Sequence, residues 1–235
     1  MQRFTKALAA IMLMTAMCFV SGCTKPDEPG NGGNGGNNGN NGGGTYNVHE
    51  YVDLGLPSGT LWATCNVGAT SPEGYGDYFA WGETTPKDTY NWDTYRYCNG
   101  YYNKLTKYCS KSGYGDNGFT DTLTVLLPED DAAAANWGND WCVPTADQWR
   151  ELSDNTITVW TTQDGVEGRL LTASNGNSLF LPAAGSHGRY WSSSLYTDYP
   201  YNAWYFNFES GYYYVVDNRR DYGLPVRPVR SAPQN

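Results

Sequence analysis

The sequence predicts an α+β domain of two short helices, many short antiparallel strands and long ordered loops over residues 46–235. Three observations carry this. Short apolar segments recur between Gly-, Asn- and Pro-rich turn signals, the pattern of many brief strands. Only two stretches combine a helix start with other helical signals. No second linker interrupts the roughly 190 residues, enough chain for one domain with a substantial core.

The chain begins "MQRFTKALAAIMLMTAMCFVSGC": Arg3 and Lys6, then an apolar run from Ala7 to Val20, the layout of a secretory signal. The run is shorter than the roughly 20 apolar residues that span a bilayer. "VSGC" resembles a bacterial lipobox, which implies a signal peptide of residues 1–22 and acylation of Cys23. Acyl chains stabilise membrane attachment by about 0.8 kcal/mol per buried methylene, so Cys23 would make the membrane a partner. Residues 23–45 read as a tether, because "NGGNGGNNGNNGGG" has no apolar side chain to bury. A coil from Gly30 to Gly44 reaches on the order of 20 Å. "TKPDEPG" looks like the surface-export signals of Bacteroidetes lipoproteins, which implies an outer-membrane lipoprotein exposed at the cell surface. The alternative is display toward the periplasm.

Within the head, "TLWATCNVGA", "GDYFAWGET", "NSLFLPAAG", "RYWSSSL", "NAWYFNFES", "YYYVVDN" and "LPVRPVR" read as strands or extended segments. "LPEDDAAAANWG" is one helix candidate, with Pro128 at its start, acids Glu129, Asp130 and Asp131 in the first turn, and Gly138 as its stop. "PTADQWREL" is the other, with Thr145 as N-cap and Gln148 three residues on, a capping box. Removing Arg3 and Lys6 with the signal leaves 13 basic against 24 acidic side chains, a net charge of −11. That balance argues against nucleic acid as a partner.

The order of "VDLGLPSGTLWATCNVGA", "YGDYFAWGET", "LLPEDDAA", "LFLPAAG", "YWSSS" and "VRPVR" resembles the Fibrobacter succinogenes major paralogous domain family, from about His49 to Arg230. The resemblance implies a C-type-lectin-like fold of the formylglycine-generating-enzyme branch. It also resembles the variable proteins of diversity-generating retroelements in Bacteroidetes surface lipoproteins, where adenine-directed mutagenesis rewrites a C-terminal patch. The formylglycine chemistry does not carry over, since that enzyme uses a late cysteine pair and no cysteine follows Cys142.

Residue chemistry points to the same patch. Nine of the twenty tyrosines lie between Ser186 and Arg230. Tyrosine supplies a large, rigid contact area with two torsions to freeze and a hydroxyl at the rim. Alternation puts Trp204, Phe206 and Phe208 on one face and Tyr205, Asn207 and Glu209 on the other; Tyr213 and Val215 continue the apolar face, and Tyr212 and Tyr214 oppose it. The expected ligand-binding residues are Tyr190, Tyr196, Tyr199, Tyr201, Asn202, Tyr205, Asn207, Tyr212, Tyr214, Asn218, Asp221 and Tyr222. Packing is the expectation for Tyr213, Trp191 and Trp204, while Arg219, Arg220 and Asp221 read equally as contacts or as a solvated cluster. The ligand is an unidentified protein or glycan; a fixed glycan-binding module and a structural part of a surface assembly are the alternatives.

No catalytic set emerges. His187 between Gly185 and Gly188 reads as a turn residue, Ser192, Ser193 and Ser194 lack a nucleophile elbow, and no HExxH or other zinc spacing is present. The expectation is a non-enzyme without cofactor; a structural calcium held by carbonyl oxygens would leave little trace in sequence. Export permits disulfides, and Cys98 and Cys109 bracket a loop that a bridge would stabilise by about 3 kcal/mol. Cys65 and Cys142 either pair or stay free.

Overall fold

The structure, a computed structural model, describes residues 43–46 and 48–232. The signal segment, Cys23 and most of the tether lie outside the described residues. In chain order the strands are β1 (Gly43–Tyr46), β2 (His49–Asp53), β3 (Thr60–Ala63), β4 (Tyr78–Phe79), β5 (Thr156–Gln163), β6 (Val166–Ala173), β7 (Ser178–Pro182), β8 (Gly188–Leu195), β9 (Asn202–Phe208), β10 (Tyr213–Arg219), β11 (Leu224–Pro225) and β12 (Val229–Ser231). The helices are α1 (Ala132–Trp137) and α2 (Ala146–Asp154). The domain is therefore mixed α+β and mostly β, with every strand pairing antiparallel.

Four sheets form, in the orders β1-β2-β3-β12, β10-β9-β8, β11-β4 and β5-β6-β7. The pairing of β3 with β12 joins the start of the head to its end. The tether boundary moves: Gly43, Gly44 and Thr45 pair with Val52, Tyr51 and Glu50, because glycine without a side chain lets the Tyr51 ring lie against the strand.

Both helix signals are realised, one with a change. Thr145 accepts from the Gln148 N–H at 3.2 Å and the Gln148 side chain accepts from the Thr145 N–H at 2.8 Å, completing the capping box of α2. The first candidate splits. Pro128–Asp130 forms a single 3-10 turn, and Asp131 alone caps α1, accepting from the Ala133 and Ala134 N–H groups at 2.8 and 3.0 Å. Asp130 turns away to accept from Lys107 and Tyr108 at 2.5 Å each, and from Tyr97.

The core is aromatic and lies in two clusters. One gathers Phe79, Trp81, Tyr95, Tyr108, Trp141 and Trp191; the other packs Trp62, Trp149, Tyr190, Phe206 and Phe208 with Leu171 and Leu181. Strand β9 runs between them, Ala203 and Tyr205 in the first and Phe206 and Phe208 in the second. Indole N–H groups bond to backbone carbonyls here: Trp81 to Ser192 at 2.7 Å, Trp191 to Phe79 at 2.8 Å and Trp149 to Trp191 at 3.2 Å. This lets large rings bury with their polar handle satisfied. The serines after Trp191 sit where the β8–β9 register shifts; the Ser192 hydroxyl donates to the Trp204 carbonyl and the Ser194 hydroxyl accepts from the Ala146 N–H.

The segment between β4 and α1 is held by side chains bonded to backbone rather than by strands. Asp121 accepts from the Tyr108 and Cys109 N–H groups at 2.7 and 3.0 Å, and the Tyr90 hydroxyl donates to the Tyr78 carbonyl at 2.5 Å. The expected Cys98–Cys109 bridge does not form. Both thiols are free, Cys98 donating to the Trp92 carbonyl and Cys109 to the Lys111 carbonyl. Backbone bonds close that loop instead, Thr106 N–H to Tyr97 and Asn99 N–H to Lys104.

Candidate functional site

The tyrosines expected to form one face separate into a loop patch, a sheet-edge patch and a buried set. The loop patch is built by two connections. The turn between β8 and β9 carries Tyr196, Tyr199 and Tyr201, and the irregular segment after β4 brings Tyr101, Tyr102 and Tyr114 beside it. The Ser110 hydroxyl donates to the Thr197 carbonyl at 3.0 Å and the Lys111 ammonium to the Asp198 carbonyl at 2.7 Å, which ties the two loops together. The rings meet edge-on or tilted: Tyr102 to Tyr201 and Tyr114 to Tyr201 at 5.2 Å, Tyr199 to Tyr201 at 5.8 Å. Tyr101 is 54% exposed and Tyr199 47%, so the patch faces solvent with much of its area uncovered.

Trp204 extends this patch rather than filling the core. It is half-buried between the Tyr196 ring at 4.9 Å and the Arg150 guanidinium at 4.9 Å. Asn202 and Asn218, nearby on β9 and β10, are half-buried; Asn202 donates to Asp217 at 2.7 Å and the Asn218 side chain accepts from the Arg219 N–H.

The sheet-edge patch is made by β10. Tyr212 and Tyr214 stack with centroids 5.0 Å apart and planes 6° from parallel, and Tyr214 stands 48% exposed. The Tyr212 hydroxyl donates to Glu209, whose Oε1 also lies 2.5 Å from His187 Nε2. That bond, then desolvation and the Glu209 charge, push the Tyr212 hydroxyl up to about 12. Ser186 Oγ lies 2.7 Å from His187 Nδ1, so Ser186, His187 and Glu209 form a hydrogen-bonded string. Ser186 is exposed on its turn and does not line the neighbouring groove, so no concave wall faces its hydroxyl.

Four expected contact residues are corrected by burial. Tyr190 is 1% exposed, stacked 6.0 Å from Phe208, with its hydroxyl donating to the Pro182 carbonyl at 2.7 Å. Tyr205 and Asn207 are 9% and 8% exposed: β9 is the central strand, Tyr205 packs into the first core cluster, and Asn207 is flanked in register by Arg189 and Tyr214. Asp221 is fully buried as the carboxylate partner of Arg219, at 2.6 Å. Arg220 is buried too, bonded to the Tyr108 carbonyl and lying over Trp81 and Tyr95, so Arg220 and Asp221 are not surface residues, whereas the Arg219 side chain stays 42% exposed. The expected core residue Tyr213 is instead 37% exposed, under the Arg169 guanidinium. Tyr222 is exposed beside Arg219.

The sequence pattern missed the contribution of Tyr101 and Tyr102, although "NGYYNKLTKY" holds three tyrosines in ten residues, and that of Tyr114 beyond it. It also passed over the β5–β6 hairpin, whose Asp164-Gly165 turn takes positive φ at both residues. Among the described residues no group of three or more His, Cys, Asp or Glu is arranged to hold a metal, and no helix is long and apolar enough to cross a membrane.

Fold and site together define a mostly-β α+β domain that exposes tyrosine on two loops and one sheet edge. A family model described as a domain of unknown function (DUF8237) matches residues 149–229, from α2 into β12, and the chain is similar to that family over this stretch. No curated protein and no solved structure matches the chain.

Proposed function

We propose that this protein is a surface-anchored lipoprotein whose head binds an external ligand through its exposed tyrosines. The observation that carries the reading is the loop patch: exposed Tyr101, Tyr102 and Tyr199 linked by ring contacts with half-buried Tyr114, Tyr196 and Tyr201, on loops tied to an aromatic core. Rings already held by one another lose little freedom on binding, which favours affinity. The lipid anchor at Cys23 and the Gly/Asn tether rest on the sequence and would hold this head clear of an outer membrane, at the cell surface. A C-type-lectin-like fold is supported by the two short helices, the short antiparallel strands and the long loop segment held by side chains. The binding head needs no catalytic group and no cofactor.

Within this reading a retroelement diversifies the contact residues while the core stays fixed. Deep sequencing of the locus across many isolates of the host tests it. The expected result is substitution in adenine-bearing codons at Tyr196, Tyr199, Tyr201, Tyr212 and Tyr214, with Tyr190 and Tyr205 unchanged. Invariance of the exposed codons, or equal change at the buried ones, would remove diversification.

A further inference from the structure

A groove of about 230 Å³ lies where β8 meets the β4–β11 ribbon, lined by Tyr75, Tyr78, Pro182, His187, Arg189 and Leu224 among others. None of these belongs to the loop patch. We propose that this groove is a second binding site, for a carboxylate-bearing sugar of the uronic acid type.

The charge argument is specific. The head is acidic overall, yet Arg189 is exposed on the groove wall and makes no hydrogen bond or ion pair among the described residues. Glu209, two residues past Asn207 in the chain, is engaged by His187 and by the Tyr212 hydroxyl and forms no ion pair with Arg189. In register across the sheet, Arg189 sits beside Asn207 and then Tyr214, which places the Tyr212–Tyr214 stack at the rim. A free guanidinium with a planar fork selects a planar carboxylate, with which it makes two parallel hydrogen bonds.

Size and walls select the rest of the ligand. The volume falls below the roughly 300–1,000 Å³ of pockets that enclose drug-sized ligands, so the groove accommodates about one ring. Tyr75, 41% exposed, and Tyr78 line it with aromatic surface. The negative ring faces attract the C–H groups of a sugar ring, while their hydroxyls meet its polar rim. An extended acidic peptide fits less well. It would pair with free backbone N–H groups, and Pro182 and Pro225 at the groove have none to offer.

The test uses the intact protein in calorimetric titration with tri-galacturonic acid, its fully methyl-esterified form, and tetraglutamate. Tri-galacturonic acid should bind, and the ester at least tenfold more weakly. Arg189→Gln should weaken the acid at least tenfold and leave the ester unchanged, so that the two losses do not add. Tyr75→Ala should weaken both. Neither side chain carries the core, so both variants should melt like wild type. Equal binding of acid and ester, no binding of the acid at millimolar concentration, or an unaltered Arg189→Gln variant would overturn the proposal. Tetraglutamate binding as tightly as the sugar acid would overturn it in favour of an acidic peptide. The loop-patch tyrosines are untouched by these variants, so failure here leaves the proposed tyrosine-mediated binding standing.

Discussion

Asp130 and Asp131 are neighbours in one helix start, and their surroundings drive them in opposite electrostatic directions. Burial raises both, but at Asp130 the Lys107 ammonium and the Tyr108 and Tyr97 hydroxyls outweigh it and hold the carboxyl below its ordinary value. Asp131 has backbone N–H donors alone, and burial pushes it up to about 6. A depressed carboxyl contributes stability above its unfolded value, here near 3.8, and loses it as pH falls through the folded one. Asp131 has the reverse sign: its ionised form is disfavoured in the fold, so its contribution declines as pH rises from about 4 through about 6. Asp130→Asn should therefore cost about 1–3 kcal/mol near neutral pH, by removing the charge to which Lys107 and two tyrosines donate, and the deficit should shrink below pH 4. Urea titrations at several pH values would read this; a deficit independent of pH would contradict it. The tyrosines divide at the same scale. Tyr212→Ala with Tyr214→Ala should change stability by about 1 kcal/mol at most, as exposed positions do, whereas Tyr190→Ala should cost about 3–5 kcal/mol as a buried ring. Comparable losses from both would mean that the β10 rings are structural.

At the scale of elements, two contacts set where the site residues stand. The capping box fixes the start of α2, from which Trp149 reaches the second core cluster and Arg150 lies over Trp204. Thr145→Ala should cost about 1 kcal/mol, since it leaves one helix N–H without its acceptor. Thermal unfolding measures it, with Thr145→Ser expected to recover most of the loss. Strand β8 begins at Gly188 because a Cβ there would stand 1.9 Å from the Phe208 ring. Gly188→Ala should therefore displace Phe208 and the start of β8, the strand that His187 precedes and that carries Arg189 as its second residue. A Gly188→Ala variant that keeps wild-type stability and sugar-acid binding would show that the ring has room to move. The alternation along β9 was legible in the sequence and correct as geometry. Its meaning was not, because β10 and β8 on either side make β9 central, and the first core cluster takes in Tyr205 from the face expected to be displayed.

Over the whole molecule, the head closes when the end of the chain returns to its start. Strand β12 pairs with β3, β11 with β4, and the buried Arg227 guanidinium bonds to Asn66 at 2.8 Å and to the Ala63 and Thr64 carbonyls. Burial lowers the Arg227 pKa, yet these acceptors give the charge its partners. "VRPVR" thus reads as a tertiary clasp, which no local pattern announces. The sequence by itself determined the mixed α+β class, the start of α2, the presence of α1, most strands and the concentration of tyrosine, because turn chemistry, capping and alternation are local properties of neighbouring residues. Only the tertiary structure decided which tyrosines face outward, that Tyr101 and Tyr102 join the loop patch, that Cys98 and Cys109 are not bridged, and that Arg189 stands unpaired over a groove. Each of these depends on which distant segment covers a given face, and burial is a property of the neighbours that the fold supplies.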